Sequence, residues 1–321
     1  MLAAYATAPN PSDPLAALEV GDRPDPEAPA GWTTVTVRAA SINHHDVWTL
    51  RGVGLAEDKY PMILGCDASG VDGEGRDVVV HAVIPSPDWS GDETLDPRRT
   101  LLSEKHQGTL AEQVIVPTRN VLPKPAELSH EEAACLSTAW LTAYRMLFVK
   151  SGVRPGATVL VQGASGGVAT ALIALGAAAG YRMWVTGRTE AKRQAALELG
   201  ADAAFEPGAR LPKRVDAVME TVGEATWSHS LKSLAPGGTV VVCGATSGPN
   251  PPADLSRVFF LQLSVVGSTM GTRSELESLM AMLVTTGVRP VIDTTMPLGR
   301  AADGFAKIIA GDTAGKIVLT V

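Results

Sequence analysis

The chain has 321 residues, 45% hydrophobic and 19% charged, with a mean hydropathy of +0.12, which describes a globular polypeptide with room for two domains. A formal net charge of −7 argues against a nucleic-acid partner, and the absence of an apolar run of about 18 residues argues against a membrane helix. Three cysteines without a C-x-x-C pair argue against a disulfide framework or zinc ribbon, and the N-terminus MLAAYATAPN has no signal-peptide pattern, so a cytoplasmic enzyme is expected.

Residues 1–120 read as β-rich. Segment 32–39 alternates apolar and polar residues, 77–83 is β-branched, and 110–116 ends on Pro117. Short strands between Gly, Pro and Asp turns predict a barrel-like β domain. Residues 84–109 form a long polar connection, a kind of loop that is usually functional. Residues 128–150 are a predicted helix, with Ser129 and Glu132 as its capping box.

The stretch 158–186 organises the chain. Residues 158–162 are a buried strand, 163–169 a glycine turn, 170–179 an Ala/Leu-rich helix stopped by Gly180, and 181–186 a second strand. Glycines let the backbone pass close to a pyrophosphate, and the helix N-terminus offers unpaired N–H groups and a positive dipole end. The turn Gly163-Ala164-Ser165-Gly166-Gly167-Val168-Ala169 has its second glycine displaced from the usual G-x-G-x-x-G/A spacing. Its strand–turn–helix–strand setting makes it a dinucleotide site rather than an ordinary turn.

The end of the second strand selects the dinucleotide. A carboxylate there would bind the ribose 2′-hydroxyl of NAD. This chain has Thr186-Gly187-Arg188-Thr189, then Lys192 and Arg193, and cations with hydroxyls suit a 2′-phosphate. NADP(H) is therefore expected; the alternative is that Arg188, Lys192 and Arg193 form a solvated helix face. Helix 190–199, strands 202–205 and 215–220, helix 223–234, and strands 239–243 and 263–268 come next, an alternation that predicts a doubly wound parallel sheet. Ligands lie off the carboxyl ends of such strands, near Thr221 and Val222, Gly244-Ala245-Thr246 and Ser268-Thr269-Met270. Segment 316–321 is a strand expected to return to the first domain, and 264–267 an edge strand with little to blunt it.

Taken together, several motifs carry a resemblance over essentially the whole length. They are Asn43-His44-His45-Asp46 with Arg51-Gly52, Tyr60-Pro61, Leu64-Gly65-Cys66-Asp67-Ala68-Ser69-Gly70, Gly108-Thr109 with Glu112, Leu141-Thr142-Ala143-Tyr144, the glycine turn, and Gly315-Lys316. The chain resembles the medium-chain dehydrogenase/reductase superfamily, and in Asn43-x-x-Asp46 its zinc-free quinone oxidoreductase branch. The resemblance implies an α/β protein with a GroES-like, partly open barrel as catalytic domain (residues 1–122 and 269–321). A Rossmann domain (residues 123–268) completes it, and the family's edge-strand pairing implies a homodimer.

Zinc alcohol dehydrogenases of this family hold the metal with Cys, His and Cys. The matching places here are Asn43, Cys66 and Thr138 or a neighbour, with Asp67 where the family has glutamate and Cys135 as the nearby thiol. Residues 84–109 replace a four-cysteine lobe and contain no cysteine. A catalytic zinc needs three protein ligands, so neither metal is expected; the alternative is an unusual site made by Cys66, Asp67 and His45.

Without a Lewis acid, the resemblance implies hydride transfer to the β-carbon of an activated alkene or to a quinone. Asn43 is then a candidate donor to the developing oxyanion. His45 stands where relatives begin a proton relay and is a candidate proton donor, or a structural histidine held by Asp46. His44 is a candidate pyrophosphate contact or an exposed loop residue. Tyr60 and Trp48 are candidate pocket walls or plain packing. Thr142 resembles the threonine beside the nicotinamide, the segments 244–246 and 268–270 those that meet its amide, and Lys316 a basic position near the phosphates. Two other functions stay open: an alcohol dehydrogenase or ketoreductase using His45 as acid, and a low-turnover NADPH-binding protein.

Overall fold

The computed structural model describes residues 1–321, which divide into two compact units: Met1–Leu141 with Met270–Val321, and Thr142–Thr269. The first unit extends past the expected limit at residue 122. The helix His130–Ala133 packs on the strands Trp32–Ile42 and Asp67–Asp72, so this part of the helical region belongs with the β-sheet. Ser129 and Glu132 form the capping box, Ser129 Oγ accepting from Glu132 N–H at 3.2 Å. The region 128–150 is not one regular helix. Leu136–Trp140 and Arg145–Lys150 are π-helical, separated by the α-turn Leu141–Tyr144.

In the first unit a seven-stranded sheet runs in the order Val121–Pro123, Asp77–Val80, Asp67–Asp72, Trp32–Ile42, Lys316–Thr320, Ile292–Pro297, with Gln113–Pro117 also pairing to Trp32–Ile42. The C-terminal strand returns to this unit, antiparallel to Trp32–Ile42, as its apolar run anticipates. Register decides which polar residues meet. Ser41 faces Asp67 across one ladder, and Ile42 faces Ile317 across the other. The ends of three neighbouring strands thereby bring Asn43, Asp67 and Lys316 together. Gly315, at φ 119°, precedes Lys316, and a Cβ there would lie 2.3 Å from Val291 O.

The polar stretch 84–109 is folded on itself rather than open. Val83–Ile84 pairs with Thr100–Leu101, and Asp96 Oδ2 accepts from both N–H and Oγ of Ser86 at 2.6 Å. No helix of the chain is long and apolar enough to cross a membrane.

The second unit is an all-parallel sheet in the order Ala203–Phe205, Arg182–Thr186, Thr158–Val161, Val215–Glu220, Leu234–Val242, Ser264–Gly267. Numbered along the unit, this is order 3-2-1-4-5-6, the doubly wound dinucleotide arrangement. The central strand Thr158–Val161 is buried along its length, which explains its unbroken β-branched and aliphatic composition. Leu160, Val218 and Val240 share one core with Trp184 and Leu231.

Candidate functional site: a glycine turn and a buried lysine–aspartate pair

In the parallel-sheet unit, the glycine turn joins strand Thr158–Val161 to helix Gly167–Ala178, which starts three residues earlier than the sequence predicts. Gly163 adopts φ 94°, a left-handed conformation that costs glycine little. Its N–H donates to Thr186 Oγ1 at 3.2 Å, and that hydroxyl donates to Gln162 Oε1 at 2.8 Å. The two central strands are thus tied together directly beneath the turn. Gly166 is the helix N-cap and no side chain caps this end. The first-turn N–H groups of Gly167 and Val168 are therefore open to an anion. Ala164 is buried, and Ser165 is partly exposed.

At the end of strand Arg182–Thr186, Gly187 is buried and Arg188 exposed. Arg193 behaves differently from Arg188. Its guanidinium donates to Gly187 O at 2.8 Å and Glu190 Oε2 at 2.6 Å, so it fastens the turn instead of reaching outward. Lys192 is partly buried on the same helix. Thr142 is buried, Gly244 and Ala245 are partly buried, and Thr246 and Thr269 are exposed; the buried Ser268 Oγ has no partner. Met270 falls in the other unit, at φ 48°, packed against its core.

The β-rich unit holds a buried polar cluster. Asp67, fully buried, accepts at Oδ2 from Ser41 Oγ (2.9 Å), Asn43 Nδ2 (2.8 Å) and Lys316 Nζ (3.1 Å). Lys316, 3% exposed, also donates to Ile42 O at 3.0 Å and Asn43 Oδ1 at 2.5 Å. The three ammonium protons are all engaged inside the unit, so Lys316 has none left for a phosphate, contrary to the sequence expectation. Asn43 is likewise committed. Its amide donors go to Asp67 and, at 3.4 Å, to Ser41 O, leaving it a holder of the ion pair rather than a free oxyanion donor. Asp67 Oδ1 is buried without a partner.

Next to this pair, Asp46 fixes the helix His44–Leu50. Its Oδ2 accepts Asn43 N–H at 2.8 Å and its Oδ1 accepts Gly65 N–H at 2.8 Å, which is a positioning role. His45, on the same turn, has Nε2 2.9 Å from Glu104 Oε1 and Nδ1 3.6 Å from Cys66 Sγ and 3.9 Å from Asp46 Oδ1. The Cys66 sulfur when ionised, then the Asp46 carboxylate 3.9 Å away and the contact to Glu104, hold the imidazole well above its ordinary pKa against the pull of burial. Burial, in turn, pushes the Cys66 thiol up. Glu104, delivered by the folded stretch 84–109, carries no motif, and nothing in the sequence links it to His45. His44 is exposed at the helix start, and Trp48 lies under the Arg51 guanidinium at 5.2 Å. Tyr60 packs against the core and donates its hydroxyl to Thr49 O at 2.8 Å, which favours packing over a pocket wall.

The positions that would form the family's catalytic zinc do not fit one. Asn43 replaces a thiolate and is bridged to an ammonium, whose charge repels a dication. Thr138 Oγ1 is buried without a partner. The nearby Cys135 is a buried thiol pushed up to about 12 by desolvation, with its S–H on Glu131 O at 3.3 Å.

Residues 29–126 match the Alcohol dehydrogenase GroES-like domain, and residues 167–285 the domain described as Zinc-binding dehydrogenase. The crystal structure of a NAD-dependent alcohol dehydrogenase is 33% identical with a TM-score of 0.91, covering 100% of both chains. The chain belongs to the medium-chain dehydrogenase/reductase superfamily. Other members of that superfamily reduce enoyl thioesters. Crotonyl-CoA reductase of Streptomyces collinus is 27% identical over 90% of this chain and 79% of that protein. The 2-octenoyl-CoA carboxylase reductase CinF, solved in complex with NADP and 2-octenoyl-CoA, is 26% identical with a TM-score of 0.91, covering 99% of this chain and 87% of that one. The fold is thus a GroES-like domain with a Rossmann-like domain. The relatives include alcohol dehydrogenases as well as reductases and do not single out the quinone oxidoreductase branch.

Proposed function

We propose that this chain is an NADPH-dependent reductase of α,β-unsaturated carbonyl compounds, with enoyl thioesters ahead of quinones, and with no metal in the hydride step. The observation that carries the reading is the Asn43–Asp67–Lys316 cluster. Where a zinc alcohol dehydrogenase of the family would polarise oxygen with a metal, this chain has an amide bridged to a lysine ammonium. Conjugate addition of hydride needs less activation of the carbonyl than its direct reduction. The enoyl thioesters named for the relatives support the same class of substrate.

The cofactor, when bound, supplies hydride to the β-carbon. The residues of the turn 163–168 receive the pyrophosphate. Arg188 and Lys192, beside Gly187, receive the 2′-phosphate. Thr142, Gly244, Ala245, Thr246, Ser268 and Thr269 line the nicotinamide. His45 gives a proton to the α-carbon, and Glu104 holds its ring. The exposed Val265 of the edge strand, with Leu255, Phe259 and Phe260, supports a homodimer through that edge. The free state of all three cysteines agrees with a cytoplasmic location.

NADPH oxidation by chelator-treated protein tests the reading, with crotonyl-CoA, a simple enone and 1,4-benzoquinone as acceptors. The expected result is a saturated thioester or ketone, faster with NADPH than NADH. Activity that dies on chelation, returns with zinc and yields an alcohol would move the alcohol dehydrogenase reading ahead; the 33% identical structure gives that alternative its weight. Saturable NADPH binding with no acceptor reduced would leave a binding protein.

A further inference from the structure

His45, Cys66 and Asp46 converge in a way the reductase chemistry does not require. Their ligand atoms lie within 4.8 Å of one another. A zinc-class ion bonded to sulfur at about 2.3 Å and to a ring nitrogen at about 2.0 Å, at the tetrahedral angle, holds those two atoms about 3.5 Å apart. Cys66 Sγ and His45 Nδ1 are 3.6 Å apart. The same construction puts a nitrogen and a carboxylate oxygen about 3.4 Å apart, and His45 Nδ1 to Asp46 Oδ1 is 3.9 Å. Asp46 Oδ1 already accepts Gly65 N–H but has a second lone pair to offer.

An independent feature points the same way. Metal-bound histidines usually give their other ring N–H to a carboxylate, which fixes the tautomer and aims the lone pair. His45 Nε2 lies 2.9 Å from Glu104 Oε1, leaving Nδ1 as the nitrogen turned toward Cys66 and Asp46. Cys66 and Asp46 are buried, whereas the His45 side chain is 26% exposed, so the cluster has one wet side. Of the three, Cys66 alone stands at one of the family's zinc places; His45 and Asp46 do not, and the amide–ammonium pair of Asn43 and Lys316 lies outside the set.

We infer that His45, Cys66 and Asp46 form a three-ligand site for a borderline divalent cation of the zinc and cobalt class, with one open position, and that filling it switches the reductase off. Nitrogen, sulfur and oxygen donors together suit these ions better than magnesium or calcium. On binding, the Cys66 thiol and the protonated His45 Nδ1 each lose a proton to the buffer, and the sulfur bonds the metal as thiolate. His45 is then held at both ring nitrogens, by metal and by Glu104, and has none for proton transfer. The binding half stands on geometry alone, whereas the switching half rests on the reading of His45 as proton donor.

The test uses the full-length chain, stripped with chelator and titrated with cobalt(II) at mildly alkaline pH. One equivalent should give d–d bands and a thiolate-to-cobalt charge-transfer band, lost in both Cys66→Ser and His45→Gln, each checked for an intact melting transition. Enone reduction with NADPH should fall at least tenfold as one equivalent of zinc is added and recover with chelator. The zinc response, taken as the ratio with and without metal in the same variant, should vanish in Cys66→Ser. Absence of the charge-transfer band, or a band that persists in both variants, overturns the site. A band that behaves as expected while zinc leaves the rate unchanged or raised keeps the site and overturns the switch together with the proton-donor reading of His45.

Discussion

Lys316→Met separates two accounts of one residue. The Gly315-Lys316 motif suggests a contact to cofactor phosphate, whereas the structure spends all three ammonium protons on Ile42 O, Asn43 Oδ1 and Asp67 Oδ2. Lys316 is 3% exposed and Asp67 fully buried, so solvent screening is weak. Removing one partner of a buried ion pair costs about 3–5 kcal/mol, because the other charge is left uncompensated. Here the high end is expected, since Asp67 Oδ1 already lacks a partner and Asn43 Oδ1 would lose its own. For a unit of this size each kcal/mol lowers Tm by about 2–4 °C, giving a drop of about 10–20 °C at that end. Urea unfolding followed by circular dichroism measures the loss, and fluorescence titration of NADPH at a temperature where the variant is folded measures binding. Adding Asp67→Asn to Lys316→Met removes the stranded charge and should recover most of the stability. A variant that loses under about 1 kcal/mol while its NADPH affinity falls tenfold would refute the buried-pair account and restore the phosphate contact.

The cofactor turn, the exposed edge and one partly buried carboxylate each give a further outcome. Arg188→Ala should raise the KM for NADPH about 10- to 100-fold, the loss of one or two charge-assisted bonds, with NADH unchanged; an equal effect on both cofactors would mean Arg188 does not meet the 2′-phosphate. Phe260→Asp with Val265→Lys places charge on an exposed apolar edge, where Phe260 is 80% and Val265 52% exposed, and should convert a dimer to a monomer by light scattering; a wild-type monomer sinks the edge-pairing proposal. Burial pulls the Asp293 carboxyl up, but Lys307, Thr294 and the Ala314 N–H outweigh it and leave it below its usual value. A depressed carboxyl adds stability that is present above the unfolded value near about 4 and lost as pH falls through the folded value. The stability gap between wild type and Asp293→Asn should therefore shrink below about pH 4, and a gap that stays constant from pH 7 to about pH 3 would refute the assignment.

The nucleotide unit was legible because local chemistry and topology agree there. A β-branched run, a glycine turn and an Ala-rich helix each have one structural solution, and their alternation implies a parallel sheet. Even so, helix Gly167–Ala178 begins within the glycines, since Gly166 can serve as N-cap without a side chain. The β-rich unit was legible only as strands. Its cluster depends on the register of three strands far apart in sequence, and a slip of one residue would turn Asp67 to the other face. The partnership of His45 with Glu104 spans 59 residues and arises from the folded stretch 84–109, for which polar composition predicts a loop but no contact. The π-helical turns at Leu136–Trp140 and Arg145–Lys150 were also invisible, because their apolar residues satisfy helical spacing well enough to read as one α-helix.

The residue at position 43 decides what the neighbouring charges can do. A thiolate there would add a second negative charge beside Asp67, and the pair would call for a metal. An amide adds none. It offers a donor to Asp67 and an acceptor to Lys316 at once, so it can sit between the two charges and bond each. The ammonium then takes up the negative charge of Asp67 inside the unit, and the helix His44–Leu50 keeps its start through Asp46 independently. Asn43→Asp breaks this logic at one point, because it sets a carboxylate against Asp67 where an N–H donor had been. The single ammonium would then face two buried carboxylates, and one of them must take up a proton. Unfolding free energy of Asn43→Asp should consequently rise as pH is lowered from 8 toward 5, the reverse of ordinary acid destabilisation, and a variant with no such rise would show that the cluster is hydrated enough to hold both charges.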